Sequence, residues 1–171
     1  ASLSSGQSMR TGRIPPIPSS DLYGLAQASI GQGEVLATPA HMALISAAIA
    51  NGGVAVQPRL SVVEPPRAMA RIMQAETASR LAAIMRRVVA EGTGRVIDTP
   101  ALAIAGKTGT AENPFGEPHS WFIGFAPAER PALAVAVLVE HARYGSAAAA
   151  PIARDLPLLA RAQGLLSCRG C

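Results

Sequence analysis

Leu102-Ala103-Ile104-Ala105-Gly106-Lys107-Thr108-Gly109-Thr110-Ala111 follows Pro100, and here the period of the sequence changes to two. Alternation of this kind reads as a β-strand over residues 102–111. Asn113-Pro114-Phe115-Gly116-Glu117-Pro118 reads as the turn that closes it. Ser120 to Phe125 then form a second strand, with Trp121, Ile123 and Phe125 on one face. Ala132 to Val139 form a third, apolar on both faces: Leu133, Val135, Val137 and Val139 on one, mostly alanine on the other. A strand of that kind must be covered on both sides. The connections are too short for parallel crossovers, so the three strands make an antiparallel meander. The expected fold class is α+β, an antiparallel sheet with helices on both faces.

The flanking helices are signed by their ends. Thr38 can cap the first, Pro39 sits at its first position, and Asn51-Gly52-Gly53 stops it. Met42, Ile45 and Ile49 lie on one stripe, with Leu44 and Ala48 beside it. A second helix runs from about Gln74 to Glu91. Its expected buried face is Leu81, Ile84, Met85 and Val88, with Glu76 and Arg80 paired one turn apart. From Ser146 a helical pattern carries Ile152, Leu156, Leu159 and Leu165, interrupted or kinked near Pro157. It is placed over the alanine face of the third strand. Residues 1–20 read as loop, Val54-Ala55-Val56 as a short strand, and 21–37 as a segment passing through the tight turn Ser29-Ile30-Gly31-Gln32-Gly33-Glu34.

Composition bounds what such a domain can do. A chain of 171 residues, half of them apolar, buries a real core and is neither disordered nor fibrous. The net charge of +4 is spread over scattered arginines, which excludes a nucleic-acid footprint. No apolar run approaches the roughly 18 residues of a spanning helix. The start at Ala1, within a polar stretch, suggests a piece of something longer. Residues 1–163 are taken as one domain portion and 164–171 as a frayed tail. That tail holds Cys168 and Cys171, a C-x-x-C without the βαβ context of a redox motif or the further ligands of a zinc site.

Within the first strand stands Lys107, the one lysine of a chain whose other fourteen cationic side chains are arginine. Lysine is compact and can lose its proton, so its use here marks a site. Three chemistries compete for this segment. Ala101 to Thr108 matches a loosened phosphate-loop pattern, but the loop would be Leu-Ala-Ile-Ala, and two glycines and two prolines follow where a helix must open. Serine–histidine catalysis lacks a G-x-S-x-G elbow beside Ser120, and His41, His119 and His141 read as structural or solvated, with His41 exposed in a first helical turn. No pair of these histidines has metal-ligand spacing, so no metal and no cofactor is expected. Lys-Thr-Gly on a strand is one of three elements of serine acyl-transferases that react with β-lactams, beside Ser-x-x-Lys and Ser-x-Asn. There, backbone N–H groups stabilise an oxyanion, and the glycine clears a strand edge for a peptide laid alongside it.

Ala105-Gly106-Lys107-Thr108-Gly109-Thr110-Ala111-Glu112, followed by His119-Ser120-Trp121-Phe122-Ile123-Gly124-Phe125-Ala126-Pro127, resembles the class B penicillin-binding proteins, the monofunctional transpeptidases of bacterial elongation and division. Ser29-Ile30-Gly31-Gln32-Gly33 with Ala37-Thr38-Pro39, and Glu91-Gly92-Thr93-Gly94, resemble upstream parts of the same domain. The resemblance implies that Lys107, Thr108, Gly109 and Thr110 line the active-site strand. Lys107 and Thr110 would be catalytic: Lys107 supplying charge, Thr110 giving its N–H to the oxyanion and its hydroxyl to a substrate carboxylate. Thr108, Gly109, Thr110 and Gln32 would border the substrate. It further implies peptidoglycan stem peptides and β-lactams as partners, the rest of a transpeptidase domain as a neighbour, and a membrane-anchored parent acting outside the cytoplasmic membrane.

Two elements are missing. Position 104, three before the only lysine, is Ile104, so Ser-x-x-Lys is absent. Ile49 and Ala111 stand two residues before Asn51 and Asn113, so Ser-x-Asn is absent too. The chain therefore reads as the C-terminal part of such a domain, inactive alone and marginally stable for want of its neighbours. The alternative is a non-catalytic penicillin-binding-like or β-lactam-sensing module.

Overall fold

The computed structural model describes residues 9–10, 12–60 and 63–166. Cys168 and Cys171 lie outside them. At the centre is the expected meander: β5 (Ala105–Ala111), β6 (His119–Ala126) and β7 (Leu133–Val139), antiparallel in the order β5-β6-β7. The α+β assignment is borne out. Strand β5 begins three residues later than the alternation suggests. Leu102 and Ile104 are buried ahead of it as part of the core, not of the ladder.

One sheet face is covered by α2 (Pro39–Ala50) and α3 (Ala75–Glu91). Thr38 caps α2 through its hydroxyl, which accepts from the His41 N–H, and Pro39 follows as expected. Here Ile49 and Met85 meet Ala105 and Phe125, with Ile45, Leu81, Ile123 and Ala134 packed around them. Ser46, fully buried, donates its hydroxyl to the Gly124 carbonyl and so fastens α2 to β6 (2.8 Å). A net bond of that kind contributes about 1 kcal/mol, and its main use is to leave no buried acceptor unpaired.

The other face belongs to α4 (Ala149–Ala162), and this corrects the expected placement. Helix α4 lies on the valine face of β7, not the alanine face: Val135 and Val137 pack with Ala149, Ala150, Ala153 and Phe122. Small residues on the helix let it approach a branched strand surface closely. The larger residues Ile152, Leu156, Leu159 and Leu165 are then left on the outer side, 43–69% exposed, reversing the stripe expected to be buried. Helix α4 also runs on through Pro157, whose ring is buried; that packing offsets the roughly 3 kcal/mol cost of an interior proline.

In α3 the buried line is Ala78, Met85 and Val89, and Ile84 is 58% exposed. Leu81 and Met85 face the sheet as expected, while Ile84 is turned outward and small Ala82 packs against the same cluster. A 3-10 turn at Arg95–Ile97 follows and sends Ile97 into the core beneath Ile104.

Two smaller ladders complete the fold. Residues Gly12–Arg13 (β1), read as loop, pair with Leu36–Ala37 (β2), and β3 (Val54–Val56) pairs with β4 (Ala68–Arg71). The segment 21–37 is not only a turn. It holds α1 (Leu22–Ser29), capped by Asp21, whose carboxylate accepts from the Gly24 N–H (2.8 Å). Helix α1 has no buried residue, so no apolar face announced it. Among the described residues, no helix is long and apolar enough to cross a membrane.

Candidate active site

Strand β5 is the outermost strand of the central sheet, so one of its edges faces away from β6. In an antiparallel ladder a residue turns both its N–H and its C=O either toward its partner or away. The contacts on β5 fix which residues turn away. The Ile104 carbonyl accepts from Arg86 Nη1 (3.0 Å), the Thr108 carbonyl from Lys107 Nζ (2.6 Å) and the Thr110 carbonyl from Gln32 Nε2 (3.1 Å). The Glu112 N–H donates to Gln32 Oε1 (3.2 Å). All four residues, two in β5 and one flanking it at each end, are even-numbered. The N–H groups of Thr108 and Thr110 therefore point to the open edge, where an added extended chain would find them.

The edge is framed at both ends. Arg86 of α3, held by Asp98 at 2.9 Å, closes it at Ile104; the Gln32 side-chain amide closes it from Thr110 to Glu112. Lys107 lies between them on the same face as Ala105 and Gly109. It is exposed, and no ion pair holds it among the described residues. Its ammonium bends back onto the neighbouring Thr108 carbonyl, so its charge is uncommitted to any carboxylate. Gly109 stands opposite Trp121, and a Cβ there would come within 3.1 Å of the Trp121 Cβ, beside Lys107.

Thr110 is exposed, as a group meeting a ligand must be. Thr108 is not: its side chain is buried, and its hydroxyl lies 2.6 Å from that of Thr93. The Glu91-Gly92-Thr93-Gly94 stretch thus meets the Lys-Thr-Gly strand directly. Sequence spacing could not show this, because fifteen residues separate the two threonines. Arg86 carried no signal either; on the helix it is one more arginine.

Among the described residues the histidines form no catalytic constellation with serine. Ser120 is fully buried, donates to the Tyr144 carbonyl (2.9 Å) and accepts from the Ala149 N–H (3.0 Å), which clasps β6 to the start of α4. His119, the first residue of β6, and His141, just past β7, meet edge to face at 4.9 Å, and the His141 N–H donates to His119 Nδ1. His41 is half-buried, not exposed as expected, with its Nδ1 unpartnered among the described residues. No metal-ligating group of three occurs among the described residues. A shallow depression of about 330 Å³ on α3, between Ile84 and Gly92, touches none of the β5 groups.

The fold and site together define an α+β domain whose Lys-Thr-Gly strand lies at a sheet edge between helical layers. The family described as penicillin binding protein transpeptidase domain matches residues 5–157, and the chain belongs to it. The chain is 39% identical over 163 residues to the peptidoglycan D,D-transpeptidase PbpA of Mycobacterium tuberculosis H37Rv, covering 82% of this chain and 32% of that protein. It is 35% identical to the peptidoglycan D,D-transpeptidase MrdA of Acinetobacter baumannii, covering 71% of this chain and 22% of that one. Among solved structures, the ceftriaxone acyl-enzyme complex of penicillin-binding protein A from M. tuberculosis superposes with a TM-score of 0.74 at 36% identity, over 86% of this chain and 37% of that one. The chain thus spans about a third or less of the curated relatives it matches. Its likeness to class B penicillin-binding proteins is shown across most of its length.

Proposed function

We propose that this chain is the C-terminal part of a peptidoglycan D,D-transpeptidase, contributing one wall of its active site. The observation that supports this best is the open outer edge of β5 with Lys107 and Thr110 exposed on it. In the complete domain a serine from outside this chain attacks the D-Ala-D-Ala carbonyl. The serine O–C bond forms, the peptide C–N bond breaks, and the terminal D-Ala leaves with a proton. A second stem-peptide amine then takes the acyl group and frees the serine. The Thr110 N–H stabilises the oxyanion of each tetrahedral step, and the Lys107 ammonium lowers the energy of the negative charge beside it. Thr110 Oγ1 and Lys107 offer a cationic, hydrogen-bonding end to the substrate carboxylate. Gly109 leaves the substrate room next to Lys107. Thr108 acts from beneath, through Thr93. β-Lactams enter by the same acylation, with the ring amide as the bond that breaks. The site faces the extracytoplasmic side of the membrane, where peptidoglycan is built.

This chain has neither Ser-x-x-Lys nor Ser-x-Asn. Incubated with a fluorescent penicillin and run on a denaturing gel, the isolated chain is expected to give no covalent band, and the full-length protein a strong one. A band on the isolated chain would place the nucleophile within it. A full-length protein that stays dark would remove the transpeptidase assignment.

A further inference from the structure

Gln32 does more than border the cleft. Its side-chain amide donates to the Thr110 carbonyl and accepts from the Glu112 N–H, two residues along the same strand. That is the pattern by which one residue of a parallel neighbour bonds to a strand: N–H to the carbonyl of one residue, C=O to the N–H two further on. The side chain thus imitates one residue of an added strand. Its backbone is built to hold it there. Helix α1 ends with the Gly31 N–H on the Ala28 carbonyl (3.0 Å) and the Gln32 N–H on the Gln27 carbonyl (2.9 Å), the double closure of a left-handed cap. Gly31 and Gly33 take φ of 76° and 68°, where side-chain-bearing residues are strained. Gln32 therefore leaves a compact loop between two left-handed glycines and reaches 78 residues along the chain to β5.

We propose that Gln32 is a positioning residue, an end stop that occupies the β5 edge past Thr110 and holds the Thr110–Glu112 backbone in strand geometry. This rests on the function proposed above. Without the stop, the last residues of β5 would be held from one side only, by β6, with the turn at 113–118 starting immediately after. The Thr110 N–H, on the same residue as the clamped carbonyl and joined to it through one Cα, would then lose its fixed direction. A donor misplaced by a fraction of an ångström loses most of its advantage for a developing oxyanion while barely altering ground-state binding. Gln32 so defined touches no reacting atom. It acts through Thr110.

The test uses Gln32→Ala and Gln32→Glu in the full-length protein. Glutamate keeps the acceptor for Glu112 but lacks the donor for Thr110 and sets a carboxylate against that carbonyl. Hydrogen exchange at the Glu112 amide is expected to quicken at least about tenfold in the alanine variant and less in the glutamate variant. Acylation by penicillin is expected to slow by about tenfold to a hundredfold in the step after binding, with the binding constant changed less than about threefold. Wild-type exchange at Glu112 in the alanine variant would show that no clamp exists. Faster exchange with unchanged acylation would show a clamp with no role in positioning. Loss of binding alone, with an unchanged acylation step, would make Gln32 a ligand contact and overturn the proposal. If the wild-type protein is not acylated at all, the transpeptidase assignment fails, and the exchange measurement still decides whether the clamp exists.

Discussion

Lys107→Ala in the full-length protein is expected to slow acylation by penicillin by about 10²–10³-fold, the loss typical when one pre-placed electrostatic group is taken from an acyl-transfer site. Lys107 is exposed, unpaired with any carboxylate among the described residues, and fixed to the strand only through the Thr108 carbonyl. Its removal should therefore leave stability within about 0.5 kcal/mol of wild type. Lys107→Arg should not restore the rate. A planar guanidinium keeps its charge, but it is larger, spreads that charge and does not give up a proton. Stopped-time labelling with a fluorescent penicillin reads the rate directly. Wild-type labelling by the alanine variant would remove Lys107 from the mechanism.

The second large effect concerns the fold. Phe122→Ala is expected to destabilise the protein by about 3–5 kcal/mol, as for other fully buried aromatics. Phe122 has no exposed surface and lies in the cluster between the sheet and α4. Its ring rests over Gly106 and Gly124, a cross-strand pair in which a methyl group on either residue would overlap the ring. The two glycines beside the lysine motif thus make room for an aromatic anchor, and the anchor in turn sets the level of β5. Since domains of this size are stable by only about 5–15 kcal/mol, the substitution should consume a large part of the total. Urea unfolding of wild type and variant would measure it, and a loss below about 1 kcal/mol would mean that the ring does not support the strand.

The sheet was legible because alternation is a local property. Trp121, Ile123 and Phe125 share a face in any strand, and the short connections leave only antiparallel neighbours. Caps were legible for the same reason, as Thr38-Pro39 shows. What alternation cannot say is which face meets which helix. Both faces of β7 are apolar, and the choice is made by helix residues small enough to approach. Ala149, Ala150 and Ala153 win the valine face although Ile152 and Leu156 are more hydrophobic. Helix α1 leaves no periodic signal because it buries nothing; Asp21 before it and Gly31 after it are its only marks.

At the site, Lys107 stood out by composition alone, and the structure sets it on the open strand with Thr110. The glycines around Gln32 mark it in the sequence, yet its contact with Thr110 spans 78 residues and no spacing rule reaches that far. Arg86 at Ile104 and Thr93 at Thr108 are of the same kind. Arg86 and Thr93 are brought to the strand by the packing of α3 on the sheet, and Gln32 by the loop after α1.

A crystal structure of the full-length protein after reaction with penicillin tests most directly whether the outer edge of β5 receives the acyl group of a peptide or β-lactam. The expected result is an ester on a serine outside this chain, with its carbonyl oxygen about 3 Å from the Thr110 N–H and the ligand laid along β5 short of Gln32. An adduct on a residue of this chain, or a carbonyl oxygen turned away from β5, would contradict it.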